Sequence, residues 1–184
     1  MRRWIVLVLL LSGCVPVATL RTPEAARGPS FTVGATLVTN PFANRDQYPV
    51  APLPYLAYAE GDGTLEWNLN LQWGLRGGAK WALAPGAALD FGLTLPPPSP
   101  DADWSQGVPV AVDLGLLLGG EGVYLSPRVH WVGVPGPGGG ENWLFGLSTG
   151  LYGREWIGEV GVLWAGENDL ILSLSGAWRF GSGP

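Results

Sequence analysis

His130 is the only histidine in this chain of 184 residues, and it is the side chain best suited to transfer protons near neutral pH. Ser126 precedes it by four positions, and Glu159 lies on a later segment. A serine, a histidine and a carboxylate can perform nucleophilic catalysis when the histidine takes the serine's proton. On a β-strand, however, four positions span about 13 Å, too far for a hydrogen bond. We therefore expect a non-enzymatic protein.

This combination of residue types resembles that of the outer-membrane lipid A deacylases, small barrels with a Ser-His-Glu triad. In that family the serine follows the histidine by two residues, whereas Val132 stands at that position here. The resemblance implies an envelope-lipid-modifying enzyme only as an alternative.

Asp113 and Arg128 form the second candidate site, a structural ion pair. A turn at 119–122 would pair Leu118 with Val123. Asp113 would then lie directly opposite Arg128, where the two charges neutralise each other in a narrow interior. The other charged or titratable side chains expected to face the interior are Glu66, Lys80, Asp90, His130, Glu159 and Arg179.

Apolar and polar residues alternate along the segments that carry these side chains, which predicts β-strands with two unlike faces. The clearest is Thr64–Arg76, in which every odd-numbered residue from Leu65 to Leu75 is leucine or tryptophan. The other candidate strands are Phe31–Thr39, Leu53–Glu60, Ala79–Ala84, Ala87–Leu95, Val108–Leu118, Val123–Gly133, Trp143–Leu151, Trp156–Trp164 and Leu170–Phe180.

The connections alternate in a way that is typical of outer-membrane barrels. The three long ones, Asn40–Pro49, Pro96–Gly107 and Val134–Asn142, are the first, fifth and seventh in order, and the others are short turns such as Gly77–Gly78. The sequence therefore predicts an all-β, up-and-down antiparallel β-barrel of about ten strands. Eight is the alternative, because Ala79–Ala84 is short.

Two features predict that the apolar face points outward into lipid. The polar face is rich in small residues and the whole chain has one lysine, which suits a crowded interior better than a water-exposed surface. Trp156 and Trp164 share the apolar face about 26 Å apart, and a tilt near 40° brings this to about 20 Å, similar to the spacing of aromatic girdles. The segment Leu170–Phe180, LILSLSGAWRF, is similar to the aromatic-ended final strand of bacterial outer-membrane barrels.

Cys14 is the only cysteine, and it follows a basic start, Met1–Arg3, and an apolar run, Trp4–Leu11. This run is too short to span a bilayer as a helix but suits a signal peptide. The segment Leu11–Cys14, LSGC, resembles the lipobox of bacterial lipoproteins. The resemblance implies cleavage before Cys14, a diacylglycerol on its sulfur and acylation of its new amine. Val15 favours sorting to the outer membrane over retention at the inner one.

We expect four segments: a signal peptide at 1–13, an acylated tether at 14–29, the barrel at 30–180 and a tail at 181–184. The formal net charge of −5 argues against binding to nucleic acid. A single cysteine and a single histidine give no disulfide framework and no metal cluster, so we expect neither a metal nor a cofactor.

The predicted function is that of an outer-membrane lipoprotein with a structural or interaction role in the cell envelope, both termini being periplasmic. Its partners would be membrane lipid, through acylated Cys14 and the barrel exterior, and other envelope proteins. Two further alternatives are a tethered soluble barrel that binds a lipid or other apolar ligand inside, and a narrow pore.

Overall fold

The computed structural model describes residues 16–40, 50–96, 107–135, 140–166 and 170–181. Its strands are β1 (Ser30–Thr39), β2 (Ala51–Gly61), β3 (Leu65–Leu71), β4 (Leu75–Ala84), β5 (Ala87–Leu95), β6 (Val110–Gly120), β7 (Val123–Gly133), β8 (Glu141–Tyr152), β9 (Trp156–Trp164) and β10 (Leu170–Gly181). Each strand pairs antiparallel with the next, and β10 pairs with β1, which closes the sheet. The prediction of an all-β, up-and-down barrel with ten strands is confirmed. Within the described ranges, no helix is long and apolar enough to cross a membrane.

The prediction of one strand at Thr64–Arg76 is wrong, because this stretch contains a turn. β3 ends at Leu71 and β4 begins at Leu75, and these two residues pair across a three-residue connection. A connection of odd length leaves odd-numbered residues on the same face, so the alternation passes through the turn unbroken. Gly77–Gly78, the predicted turn, lies inside β4 instead. β4 is 10 residues long, which removes the argument for eight strands.

β6 and β7 are joined by a tighter turn than the sequence predicts. Glu121 and Gly122 form it with φ values of 54° and 87°, as in two-residue hairpin turns of the primed type. Gly120 therefore pairs with Val123, and the predicted register is wrong by two residues. A shift of two leaves every side chain on its predicted face.

The two ends of the barrel differ, and we name them by their connections. The turn end carries the connections β2–β3, β4–β5, β6–β7 and β8–β9, together with the start of β1 and the end of β10. The loop end carries the other five connections, including the long ones after β1, β5 and β7.

Apolar side chains cover the outside of the barrel. Every strand carries at least one exposed large apolar residue, and the most exposed, Trp67, retains 64% of its accessible surface. Aromatic residues pair near both ends: Trp156 with Trp178 at the turn end, and Trp131 with Trp143 at the loop end. Contiguous apolar surface on this scale is rare on monomeric proteins in water.

Residues 16–29 are part of the predicted tether, and we call them the lumen segment: 16–26 lie inside the barrel, and 27–29 leave it at the turn end, where Arg27 and Pro29 are exposed. Every residue from Ala18 to Ala26 is buried except Glu24, which is half-buried. The prediction of a tether is therefore wrong for the part that the structure describes. A segment enclosed by barrel wall on all sides needs no alternation of apolar and polar residues, so its sequence looks like that of an unstructured linker.

The lumen segment runs along the barrel interior from one end toward the other. At the turn end, the N–H of Gly28 donates to the carbonyl oxygen of Gly61 (2.7 Å). At the other extreme, the N–H of Val17 donates to Oε1 of Gln72 (3.2 Å), which belongs to the β3–β4 connection at the loop end. The segment therefore fills the lumen over most of the height of the wall.

Asp62 caps the turn beside the point where the lumen segment enters. Its Oδ1 accepts hydrogen bonds from the N–H groups of Leu65 (2.9 Å) and Thr64 (2.8 Å). These two donors lower the pKa of the Asp62 carboxyl, so its contribution to stability is present above its unfolded-state pKa and is lost as the pH falls through the lower folded-state value.

Candidate functional site in the barrel interior

A network of buried charges crosses the interior and centres on Arg76 of β4, whose side chain is 1% exposed. Its Nε and Nη2 atoms donate to the two carboxylate oxygens of Asp113 on β6, each at 2.8 Å. Nη2 also donates to Asp90 on β5 (2.9 Å), and Nη1 donates to Asn68 on β3 (3.0 Å). One guanidinium therefore links four neighbouring strands through charge-assisted hydrogen bonds.

Arg128 of β7 completes this network. Its Nη2 donates to Asp90 (2.7 Å), and its Nη1 contacts Oδ1 of Asp113. Asp113 and Arg128 therefore lie in contact, but Asp113 stands opposite His130 and Arg128 stands opposite Gly115, because the register is shifted. Two arginines share two aspartates, so the buried charges are paired, as burial in a low-dielectric interior requires.

The sequence reasoning missed Arg76, because the turn was placed after it and the residue then stood at a strand end. The set of interior residues predicted from the sequence held four carboxylates against three fixed positive charges. Buried carboxylates need partners. The excess of one carboxylate indicated that the interior contains a further cationic side chain, which the structure identifies as Arg76.

A second group of ion pairs holds the lumen segment in its turn-end half. Glu66 on β3 accepts hydrogen bonds from Arg21 (2.6 Å) and from the N–H of Ala26 (2.8 Å), and it pairs with Lys80 (2.9 Å). Lys80 in turn donates to the carbonyl oxygen of Glu24 (2.6 Å). Two wall residues that the sequence placed in the interior therefore bind a part of the chain that the sequence placed outside it.

Two buried tyrosines hold the middle of the lumen segment. Tyr55 donates to the carbonyl oxygen of Thr19 (2.5 Å), while the N–H of Thr19 donates to Glu159 (3.3 Å) and Tyr124 donates to the same carboxylate (2.6 Å). Leu20 beside them has a φ of 47°, a conformation that residues other than glycine rarely adopt. Its side chain packs in an apolar cluster that contains both tyrosines, and this packing offsets the cost of that conformation.

Ser126, His130 and Glu159 line one cavity of about 20 Å³, but the described contacts do not join them as a catalytic triad. Ser126 Oγ and His130 Nδ1 are buried and have no hydrogen-bond partner. Glu159 bonds to Tyr124 and Thr19 instead. Nucleophilic catalysis needs a bond from serine to its base and from the base to a third group, and neither is formed.

The interior wall differs from side to side in a way that makes room for the lumen segment. Long charged and amide side chains are concentrated on β3 to β7, and small ones on β8, β9, β10 and β1, although Glu159 and Arg179 also project inward from β9 and β10. A Cβ added at Gly161 of β9 would lie 3.9 Å from the carbonyl oxygen of Val17, and Ser173 of β10 donates to that oxygen (3.4 Å). The small residues on this side are Gly34, Thr36, Gly146, Ser148, Gly150, Gly161, Ser173, Ser175 and Ala177.

Gly92 gives a direct test of how tightly the charge network is packed. A Cβ at this position would collide with the guanidinium of Arg76, so Gly92→Ala is expected to lower the free energy of unfolding by about 1–3 kcal/mol, as overpacking does. The matched control is Gly77→Ala on the next strand, where a Cβ meets nothing within 4 Å. Chemical unfolding in lipid vesicles measures both. Equal stability of the two variants would contradict the packing.

The fold and interior define the chain as a closed ten-stranded antiparallel barrel that carries a segment of itself in its lumen. Searches against protein-family models and against curated proteins gave no match. Among the residues described, no group of three or more His, Cys, Asp or Glu side chains could hold a metal ion. Cys14, the predicted lipid-attachment site, lies outside the described residues.

Proposed function

We propose that the protein is an integral outer-membrane lipoprotein, acylated at Cys14, whose sealed barrel has a structural or interaction role in the cell envelope. The observation that carries this proposal is the distribution of side chains about the wall. Residues such as Trp67 and Phe145 are more than half exposed, whereas Arg76 and Asp90 are inside and almost fully buried. In water this arrangement would be inside out, but in a bilayer it is the favourable one.

The closed sheet is consistent with the same environment. A bilayer core provides no hydrogen bonds, so only helices and closed barrels satisfy their backbone within it. The pairing of β1 with β10 leaves the described sheet with no edge strand. The strands contain 7 to 12 residues, a range that includes the 9–11 or so needed to cross the apolar core at a tilt.

The filled lumen supports a sealed barrel over a ligand-binding one. Three cavities lined by described residues measure about 30, 20 and 10 Å³, so even the largest has space for no more than about two water molecules. None of them admits a lipid or another apolar ligand. The lumen segment occupies the space in which such a ligand would lie.

The long connections at the loop end support an interaction role. Loops that a rigid scaffold presents are common sites of binding. We propose envelope proteins as their partners, and membrane lipid as the partner of the barrel exterior and of acylated Cys14. The carboxylate of Glu159 bonds to Tyr124 and Thr19, while Ser126 Oγ and His130 Nδ1 have no hydrogen-bond partner, which supports a non-enzymatic role.

Extraction of a lipid-free chain tests the membrane-embedded part of this proposal. Residues 1–14 are replaced by a secretory signal peptide that is removed completely, so that neither acyl chain nor apolar leader remains. We expect this chain to stay in the membrane fraction in alkaline carbonate, and to migrate differently on a gel before and after boiling. The natural acylated chain and a periplasmic protein are the two controls. Release of the lipid-free chain into the soluble fraction would refute an integral barrel and favour a tethered soluble one.

A further inference from the structure

We infer that the lumen segment threads the barrel and delivers the acylated N-terminus to the loop end. The long loops of outer-membrane barrels face the cell surface, so the lipid would enter the outer leaflet. The inference rests on the proposed function, because it needs a membrane-embedded barrel with a lipid on Cys14. Its new content is the side of the membrane on which that lipid lies, and it replaces the expectation that both termini are periplasmic, because Val17 lies at the loop end and β10 ends at the turn end.

The direction of the lumen segment carries the inference. Three wall residues of β3 and the β3–β4 connection bind it in order of height: Glu66 binds Ala26 and Arg21, Asn70 binds Arg21, and Gln72 binds Val17. From Glu66 to Gln72 the wall rises by six residues, about 20 Å along the strand. The chain therefore climbs from the turn end to the loop end as its residue numbers fall.

The length of chain before Val17 prevents a return to the turn end. Cys14 is three residues away, and an extended chain spans at most about 3.6 Å per residue, so it lies within about 11 Å of Val17. At a strand tilt near 40° the segment has already climbed about 15 Å, so the chain before Val17 is too short to lead back to the turn end. A sideways exit is closed as well, because all ten neighbouring strand pairs of the barrel are hydrogen-bonded. The acyl chains can reach lipid only at the loop end.

Buried ion pairs between the lumen segment and the wall hold the segment in its threaded position. Arg21 is 5% exposed and pairs with Glu66, which is itself 3% exposed. Withdrawal of the segment would take Arg21 and the Ala26 N–H from Glu66, and the Thr22 and Glu24 carbonyl oxygens from Lys80. Each of the two buried charges would then keep only the other as a partner, which is destabilising.

A disulfide between the lumen segment and the wall tests the threading in the full-length acylated protein in its membrane. Val17→Cys is combined with Ser173→Cys, whose native hydroxyl donates to the Val17 carbonyl oxygen (3.4 Å). The matched control combines Val17→Cys with Arg179→Cys, on the same strand and the same face but six residues nearer the turn end, about 20 Å away. We expect at least tenfold more cross-linked product from the first pair under mild oxidation. A preferred link to position 179, or no link in either pair, would overturn the inference.

Labelling of intact cells then identifies the leaflet. Val108→Cys, exposed beside the β5–β6 connection, reports the loop end, and Arg154→Cys, exposed in the β8–β9 turn, reports the turn end. A membrane-impermeant maleimide is expected to label position 108 in intact cells and position 154 only after permeabilisation. The reverse pattern would overturn the assignment of the lipid to the outer leaflet.

These outcomes separate the two proposals. Equal labelling at 108 and 154 together with release by carbonate would refute the membrane barrel itself. A chain that resists carbonate but fails to link Val17→Cys to Ser173→Cys would refute only the threading. Where Ser173→Cys alone abolishes the heat-modifiable band, Gln72→Cys takes its place, because Gln72 also bonds to Val17 (3.2 Å).

Discussion

Replacement of Arg76 with leucine is expected to lower the free energy of unfolding by about 3–5 kcal/mol, the usual cost of removing one partner from a buried ion pair. Arg76 donates to both oxygens of Asp113 and to Asp90, and its side chain is 1% exposed. Without it, two buried carboxylates would share Arg128 as their remaining cation in this network. Unfolding in guanidinium chloride, followed by tryptophan fluorescence in lipid vesicles, measures the loss.

Two further variants show whether the loss comes from the unpaired charge. Arg154→Leu removes an arginine from the exposed β8–β9 turn and is expected to change stability by less than about 0.5 kcal/mol. Arg76→Leu combined with Asp113→Leu removes one charge of each sign and leaves Arg128 with Asp90, so it is expected to be more stable than Arg76→Leu alone. If Arg76→Leu alone were as stable as the natural chain, the charge network would make no net contribution to the free energy of unfolding.

Deletion of residues 16–26 is expected to open the barrel to ions. The wall on the side of β8 to β1 carries small side chains, and it leaves space where Ala18 and Leu20 now pack. Water and ions would enter a lumen that also exposes Glu66, Lys80 and Glu159. In planar bilayers the full-length chain is expected to stay closed. The chain that lacks 16–26 is expected to give step-like current increases at least ten times as often.

The control for this deletion is to add the lumen segment back as a separate peptide and to measure whether the open barrel closes. A synthetic peptide of residues 15–29, added to the deleted chain, is expected to reduce the conductance, whereas the same peptide with Arg21 replaced by glutamate is expected to be weaker because it repels Glu66. A deleted chain that keeps its heat-modifiable band and conducts no more than the natural chain would contradict the idea that the lumen segment is the seal.

The turn positions show where the sequence-based prediction failed and why. The predicted faces of the strands were right at Asp113 and Arg128, since both side chains point inward. Their predicted register was wrong by two residues, because 119–122 offered several glycine-containing turns and alternation with a period of two cannot distinguish a shift of two. Thr64–Arg76 failed for a related reason, since a three-residue turn preserves the alternation on either side of it.

The lumen segment was missed because its environment is not repetitive. Alternation of apolar and polar residues reveals a segment whose two faces differ, one being solvent-exposed and the other buried, or one facing lipid and the other the barrel interior. Arg21 and Glu24, together with the prolines of this stretch, resemble surface composition when their partners on β3, β4 and β8 are unknown. The concentration of small residues on β8, β9, β10 and β1 was the available signal, because a barrel of this size needs something to occupy the space that they leave.

The sequence by itself determined the fold class, the number of strands and the face on which the strand side chains lie, since these depend on local alternation, but it did not determine where β3 ends and β4 begins. The tertiary structure alone decided which charges meet and what fills the lumen. Those outcomes depend on the closure of the sheet and on the exact length of each turn, which bring Arg21 to Glu66 and Arg76 to Asp113 across stretches of sequence that carry no mark of the pairing.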